Sequence, residues 1–120
     1  MANPNIVNVT TIQGKTVGAA VTTTVAALVS NGAASNKIFK INTLTIANVD
    51  GANSADITVD IFKNQANVFK LAHTIAVPAD ATLVIISKDS AIYLEENDSL
   101  RVTASANGDL EAVCSYEEIS

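Results

Sequence analysis

The sequence predicts an all-β fold: an antiparallel, jelly-roll-like β-sandwich of eight or nine strands. Three observations carry that prediction. Short segments rich in Val, Ile and Thr alternate apolar and polar residues with the period of two that a half-buried strand requires. Turn signals separate these segments every eight to twelve residues. No segment repeats its apolar residues at helical spacing.

In chain order, Ile6, Val7, Val9 and Ile12 read as a first strand, followed by Gly14-Lys15 and a short continuation through Val17. Residues 21–29 are Thr- and Val-rich and predict a second strand, with helix the alternative because of Ala19, Ala20, Ala26 and Ala27. Residues 31–36, NGAASN, form a loop by composition. Residues 37–49 predict a long strand with one fault. Phe39 and Ile41 share a parity that Leu44 and Ile46 do not, and one extra residue near Asn42-Thr43, a bulge, repairs it. After the Asp50-Gly51 turn, Ile57, Val59 and Ile61 alternate with Thr58 and Asp60. Residues 64–67 turn the chain. Phe69, Leu71, His73, Ile75 and Val77 then form the most regular alternation of all, ended by Pro78. Residues 83–86, LVII, are apolar on both faces and predict a central or covered strand. Ile92 and Leu94 form a short strand, and residues 95–98, EEND, turn the chain.

Two alternating rows close the chain: Leu100, Val102 and Ala104, then Leu110, Ala112, Cys114 and Tyr116. Asn107-Gly108 between them predicts a hairpin. A two-residue loop puts the two rows on opposite faces. A three-residue loop, Ala106-Asn107-Gly108, pairs Leu100 with Cys114 and gives Gly108 the left-handed position, so the longer loop is the expected one.

Length and composition bound the rest. At 120 residues the chain predicts one domain, 1–120, with residues 1–11 either an ordinary first strand or an extended arm that pairs with a neighbour. Apolar residues make up 48 %, much of it alanine, and there is no Trp. Such a core stabilises modestly at about 25 cal/mol per Å² of buried apolar area. Together with a charged fraction of only 16 %, this points to a subunit that gains stability from neighbours, with a thin-cored monomer as the alternative. The net charge is −5: residues 1–49 hold three lysines and no acid, and residues 50–120 hold all twelve acids. A nucleic-acid binder needs a basic footprint, and this chain lacks one. The longest uncharged run, residues 16–36, is too rich in Thr, Ser and Asn to span a membrane, and the first residues lack the pattern of a secretory signal.

Residues able to do chemistry are few. Cys114 is the single cysteine and His73 the single histidine, and both sit on alternating apolar rows where a packed role is the direct reading. Asp50, Asn53 and Asp56 offer oxygen ligands in one loop and form a candidate calcium site. They lack EF-hand spacing, and turn chemistry accounts for the same residues. Glu95 and Glu96 are adjacent, so on an extended chain their carboxylates diverge, a poor pair for glycoside hydrolysis. There is no phosphate loop, nucleophile elbow or histidine pair, so neither an enzyme nor a cofactor is expected.

The C-terminal block IYLEENDSLRVTASANGDLEAVCSYEEIS, with NIVNVTTIQGKT and LAHTIAVPADATLVIISKDS, resembles a family of small virion proteins of tailed bacteriophages, especially marine phages of cyanobacteria. The resemblance covers nearly the whole chain, and LEENDSLRV and CSYEEIS are its most specific pieces. Relatives more often carry Gly at the position of Asn97, and both residues tolerate a left-handed backbone. The resemblance implies a structural role in the virion after synthesis in the host cytoplasm. A capsid decoration or cement protein comes first, and a neck, tail or fibre subunit second. A carbohydrate-binding jelly-roll module, leaning on Tyr93 and Tyr116, is the alternative from another class. The implied partners are the major capsid protein or other virion proteins and further copies of the chain, a trimer being favoured, with no nucleic acid and no membrane. Ile6, Val7, Val9, Tyr93 and Tyr116 are the candidate interface residues.

Overall fold

The period-two rows of Val, Ile and Leu fold into two antiparallel sheets packed face to face, in a computed structural model that describes residues 4–120. The described residues contain nine strands: β1 (Ile12–Val21), β2 (Ala26–Ser30), β3 (Ile38–Asn48), β4 (Ala55–Lys63), β5 (Asn67–Val77), β6 (Thr82–Ile86), β7 (Ile92–Leu94), β8 (Ser99–Ala104) and β9 (Leu110–Ile119). One sheet has the order β1-β9-β3-β6, with β7 also paired to β3. The other has the order β2-β8-β4-β5. Most consecutive strands cross from one sheet to the other; the exceptions are β4 and β5, paired within one sheet, and β6 and β7, both paired with β3 in the other.

Inward residues of both sheets form one core. Ile41, Leu44, Ile46, Ile57, Val59 and Leu100 are fully enclosed, and β9 adds Leu110, Ala112 and Cys114. The bulge expected near Asn42-Thr43 is present. The β3–β9 register shifts between Ile41 and Thr43, so Phe39, Ile41, Leu44 and Ile46 all point inward. Asn42 is the extra residue, and its Nδ2 donates to Glu117 Oε2 at 3.0 Å.

Four expectations need correction. The closing hairpin does not form: β8 pairs with β2 and β4, β9 pairs with β1 and β3, and the Asn107-Gly108 loop crosses from one sheet to the other. The two apolar rows do share the core, from opposite sides of it. Gly108 still takes the left-handed backbone (φ 85°), and Asn107 Oδ1 accepts the Thr23 N–H at 2.9 Å, tying this loop to the one after β1. The first strand begins at Ile12 rather than Ile6. Residues 4–11 turn back on the chain end, where the Thr10 and Thr11 N–H groups donate to the Ser120 carbonyl at 2.7 and 2.9 Å. The second strand is confined to β2 because Thr22 and Thr24 make a side-chain turn instead. β6 is not covered on both faces. Its register shifts so that Leu83 and Ile86 point inward and Val84 outward, and the unbroken apolar run marks a bulge at Ile85 on an edge strand.

Two buried asparagines close the ends of the sandwich. Asn48, at the end of β3, donates from Nδ2 to the Asn53 and Val77 carbonyls at 3.0 and 2.9 Å and accepts the Asp50 N–H at 2.9 Å. Asn31 does the same at the opposite end, donating to the Lys37 and Leu94 carbonyls at 2.9 and 3.0 Å and accepting from Ser35. The left-handed backbone at Asn97 (φ 70°) matches the expectation for the 95–98 turn, which the buried Asp98 organises by accepting the Asn64 and Glu95 N–H groups and the Lys63 ammonium.

Candidate functional site

Most of the residues that could do chemistry are spent on structure. Cys114 is fully buried, and burial pushes its thiol up to about 11, which leaves it protonated and unreactive in the folded protein. His73 lies exposed on β5 rather than packed, as its place on the alternating row suggested. Glu95 reaches Lys63 at 2.7 Å while Glu96 Oε2 accepts the Asn36 N–H at 2.6 Å, so the adjacent carboxylates diverge to different loops.

The candidate calcium residues do not converge as a cage. Asp50 Oδ1 accepts the Ala52 and Asn53 N–H groups at 2.8 and 3.3 Å, and Oδ2 accepts from Asn53 Nδ2 at 3.3 Å, a turn built from one carboxylate. Those donors hold the Asp50 carboxyl below its ordinary value. Desolvation, then the Asp50 charge, raises that of Asp109. Asp56 stands at the start of β4, where its N–H donates to Ser105 Oγ at 2.8 Å. Among the described residues no group of three or more His, Cys, Asp or Glu is placed to hold a metal ion.

The charge asymmetry of the sequence disappears at one end of the sandwich. Glu118, on β9, binds Lys15 Nζ at 2.7 Å and also Lys37, so two of the three lysines of the acid-free half meet an acid of the other half. The lysine hydrogen bonds hold the Glu118 carboxyl below its ordinary 4.5, and the same contact raises Lys15. A carboxyl depressed on folding stabilises above its unfolded value and loses that contribution as pH falls through the folded one. Glu118→Gln should therefore cost about 1 kcal/mol at neutral pH. The gap from the parent protein should close below pH 4.5, and thermal melts of the two proteins across that range check it.

What the surface offers is apolar side chains without cover. Of the candidate interface residues, Ile6, Val7 and Tyr93 are 52 %, 83 % and 44 % exposed. Val9 is half-buried, and Tyr116 turns inward, its ring 5.5 Å from that of Phe39. Ile6 and Val7 share the segment that leads into Thr10 and Thr11, and Tyr93 is on β7, so three of the five are exposed, on two separate segments. The sequence reading missed the larger patch. Val68, Phe69, Leu71 and Ile75 are all exposed on β5, an edge strand whose alternation suggested a buried row. One signal could have shown it: the opposite row of β5, Val68, Lys70, Ala72, Thr74 and Ala76, has a single charge, too few for a face meant only for water.

No family model matches the chain, and no curated protein matches it. Solved structures do. A Bacillus endospore appendage protein, from a family of disulfide-linked pili, superposes with a TM-score of 0.55 at 11 % identity, over 98 % of this chain and 95 % of that one. A pentameric capsid protein from metagenomic phage sequences gives 0.41 at 14 % identity, over 85 % of this chain and 63 % of that one. At these identities the likeness to the appendage protein is one of fold: an antiparallel β-sandwich spanning nearly the full length of both chains. Among the described residues no helix is long and apolar enough to cross a membrane.

Proposed function

We propose that this chain is a structural subunit of a bacteriophage virion, and within the virion a capsid decoration or cement protein that stabilises the head by bridging neighbouring shell subunits. One observation carries the reading. Large apolar side chains on residues 4–11, β5, β6 and β7 stay at least two-fifths exposed, although the core itself is closed by Ile, Val and Leu with only four alanines (Ala55, Ala72, Ala104 and Ala112), and among the described residues no catalytic constellation accompanies them. Exposed apolar surface of this kind serves contact with other proteins. The resemblance of the C-terminal block to phage virion proteins supplies the setting, and a fold shared with a pilus subunit supports a role in assembly. Unlike a disulfide-linked polymer, an assembly of this chain would be non-covalent, since Cys114 is enclosed in the core. Burial of roughly 1,200–2,000 Å² per contact is the scale such bridging needs.

The test is to mix the purified protein with undecorated phage shells. Saturable binding, with a copy number on the scale of the shell rather than of a single ring, is the expected result. No binding at saturating concentration overturns the decoration role, and a copy number matching a neck ring or tail would move the chain there.

A further inference from the structure

At eleven residues β5 is longer than the other edge strands β1, β2 and β6, and among the described residues it pairs on one side only, with β4. Phe69 pairs with Ile61 and Ile75 with Ile57, so both stand on the inward face of their sheet, yet they remain 60 % and 41 % exposed. We infer that β5 is the surface through which two copies of this chain pair, edge to edge and antiparallel, about a two-fold axis at Ala72. The inference rests on reading the chain as an assembly subunit and names its first partner, a second copy of itself.

The strand is self-complementary in that register. Phe69 of one copy lies opposite Ile75 of the other, Val68 opposite Ala76 and Asn67 opposite Val77, and each set occurs twice. Directly opposed residues of antiparallel strands share a face, and these pairs comply. Phe69 and Ile75 are on the inward face, while Val68 and Ala76, paired to Phe62 and Asp56, are on the outward one. Charge agrees as well. Lys70 is the single Lys, Arg, Asp or Glu on β5. Its ammonium lies 3.5 Å from Asp60, and about the axis it faces Thr74, so the two ammoniums do not meet.

The area suffices. Because of its bulges β5 runs alongside only nine residues of β4, about 30 Å, and the thinnest extent of the domain is 20 Å, so this side wall is roughly 600 Å² per copy and 1,200 Å² for the pair, at the lower end of the range of stable interfaces. The bulges fit too. Register shifts at Leu71 and at His73-Thr74 leave two regular stretches, residues 67–70 and 75–77, that the axis brings against each other. Thr74, left-handed at φ 49°, turns its N–H inward to Thr58 Oγ1 at 3.1 Å. The bulged centre would stop an unlimited ladder, and a two-fold pair uses up the edge.

Sedimentation of the full chain at micromolar concentration is expected to show a dimer. Phe69→Asp and Ile75→Asp should each weaken it at least about tenfold. The double variant Val68→Cys with Ala76→Cys should form a disulfide-linked dimer on oxidation. Val68→Cys alone should not, because its two copies stand roughly 20 Å apart along the strand. A monomer at every concentration overturns the pairing, as does a dimer indifferent to Phe69→Asp. A dimer that Phe69→Asp dissociates but the cysteine pair fails to link overturns the register. Shell binding separates this inference from the role it rests on. A monomer that still saturates undecorated shells sinks the pairing alone, and a dimer that ignores shells sinks the decoration role alone.

Discussion

Asn48→Ala is expected to remove about 3 kcal/mol of stability, because three hydrogen bonds of about 1 kcal/mol each disappear and buried carbonyls lose their donors. Asn48 is 3 % exposed, and its amide joins the end of β3 to the following loop, through Asn53 and Asp50, and to the last residue of β5, through Val77. Its own N–H holds the Ala81 carbonyl at 2.8 Å, so one residue fixes both loops at that end. A midpoint lowered by on the order of 10 °C in thermal melts is the expected reading. Asn48→Asp tests the cause, since it keeps the shape and the acceptor for the Asp50 N–H but faces a carboxylate toward two carbonyl oxygens. It should be no more stable than the alanine variant. If Asn48→Ala costs less than about 1 kcal/mol, water has taken over the bonds and the amide does not hold this end together.

Strand positions were legible because burial on one face imposes alternation on the residues themselves. The bulge at Asn42 was legible for the same reason, as a parity change between Ile41 and Leu44. Pairing was not. Leu100, Val102 and Ala104 would alternate in the same way whether Leu110, Ala112 and Cys114 lay beside them in one sheet or across the core in another, and only the second is true. The apolar run of β6 shows the same limit, since a bulge and double coverage write the same letters. Alternation in β5 reported that its two faces differ, and could not report that neither face of Phe69 is covered. The asparagines that close the sandwich read as loop composition, because what distinguishes them is the carbonyls they meet, and those come from elements up to 63 residues away. For the candidate interface residues, exposure followed the elements carrying them. Ile6 and Val7 are bared by a segment that turns back instead of joining a sheet, and Tyr116 is drawn in by Phe39.

Asp60→Ala is the second large loss, about 3 kcal/mol, because removing one member of a buried ion pair strands its partner. The Asp60 side chain is 2 % exposed at the middle of β4, held by Arg101 Nε at 2.7 Å from β8 on one side and by Lys70 from β5 on the other. Arg101 also lies 4.3 Å over the Phe62 ring, so it cannot swing into water without leaving that face. Lys70→Ala should cost under about 1 kcal/mol, as its ammonium is largely solvated. Replacing both members of the tighter pair, Asp60→Leu with Arg101→Met, should return the protein to within about 1 kcal/mol of the parent, since two apolar residues of similar size need no counter-charge. Urea unfolding of the four proteins decides between two roles for the pair. Recovery in the double variant means the carboxylate serves to neutralise Arg101. If the double variant stays as weak as Asp60→Ala, the bonds themselves hold β4 to β8, and with it the sheet that carries the β5 edge.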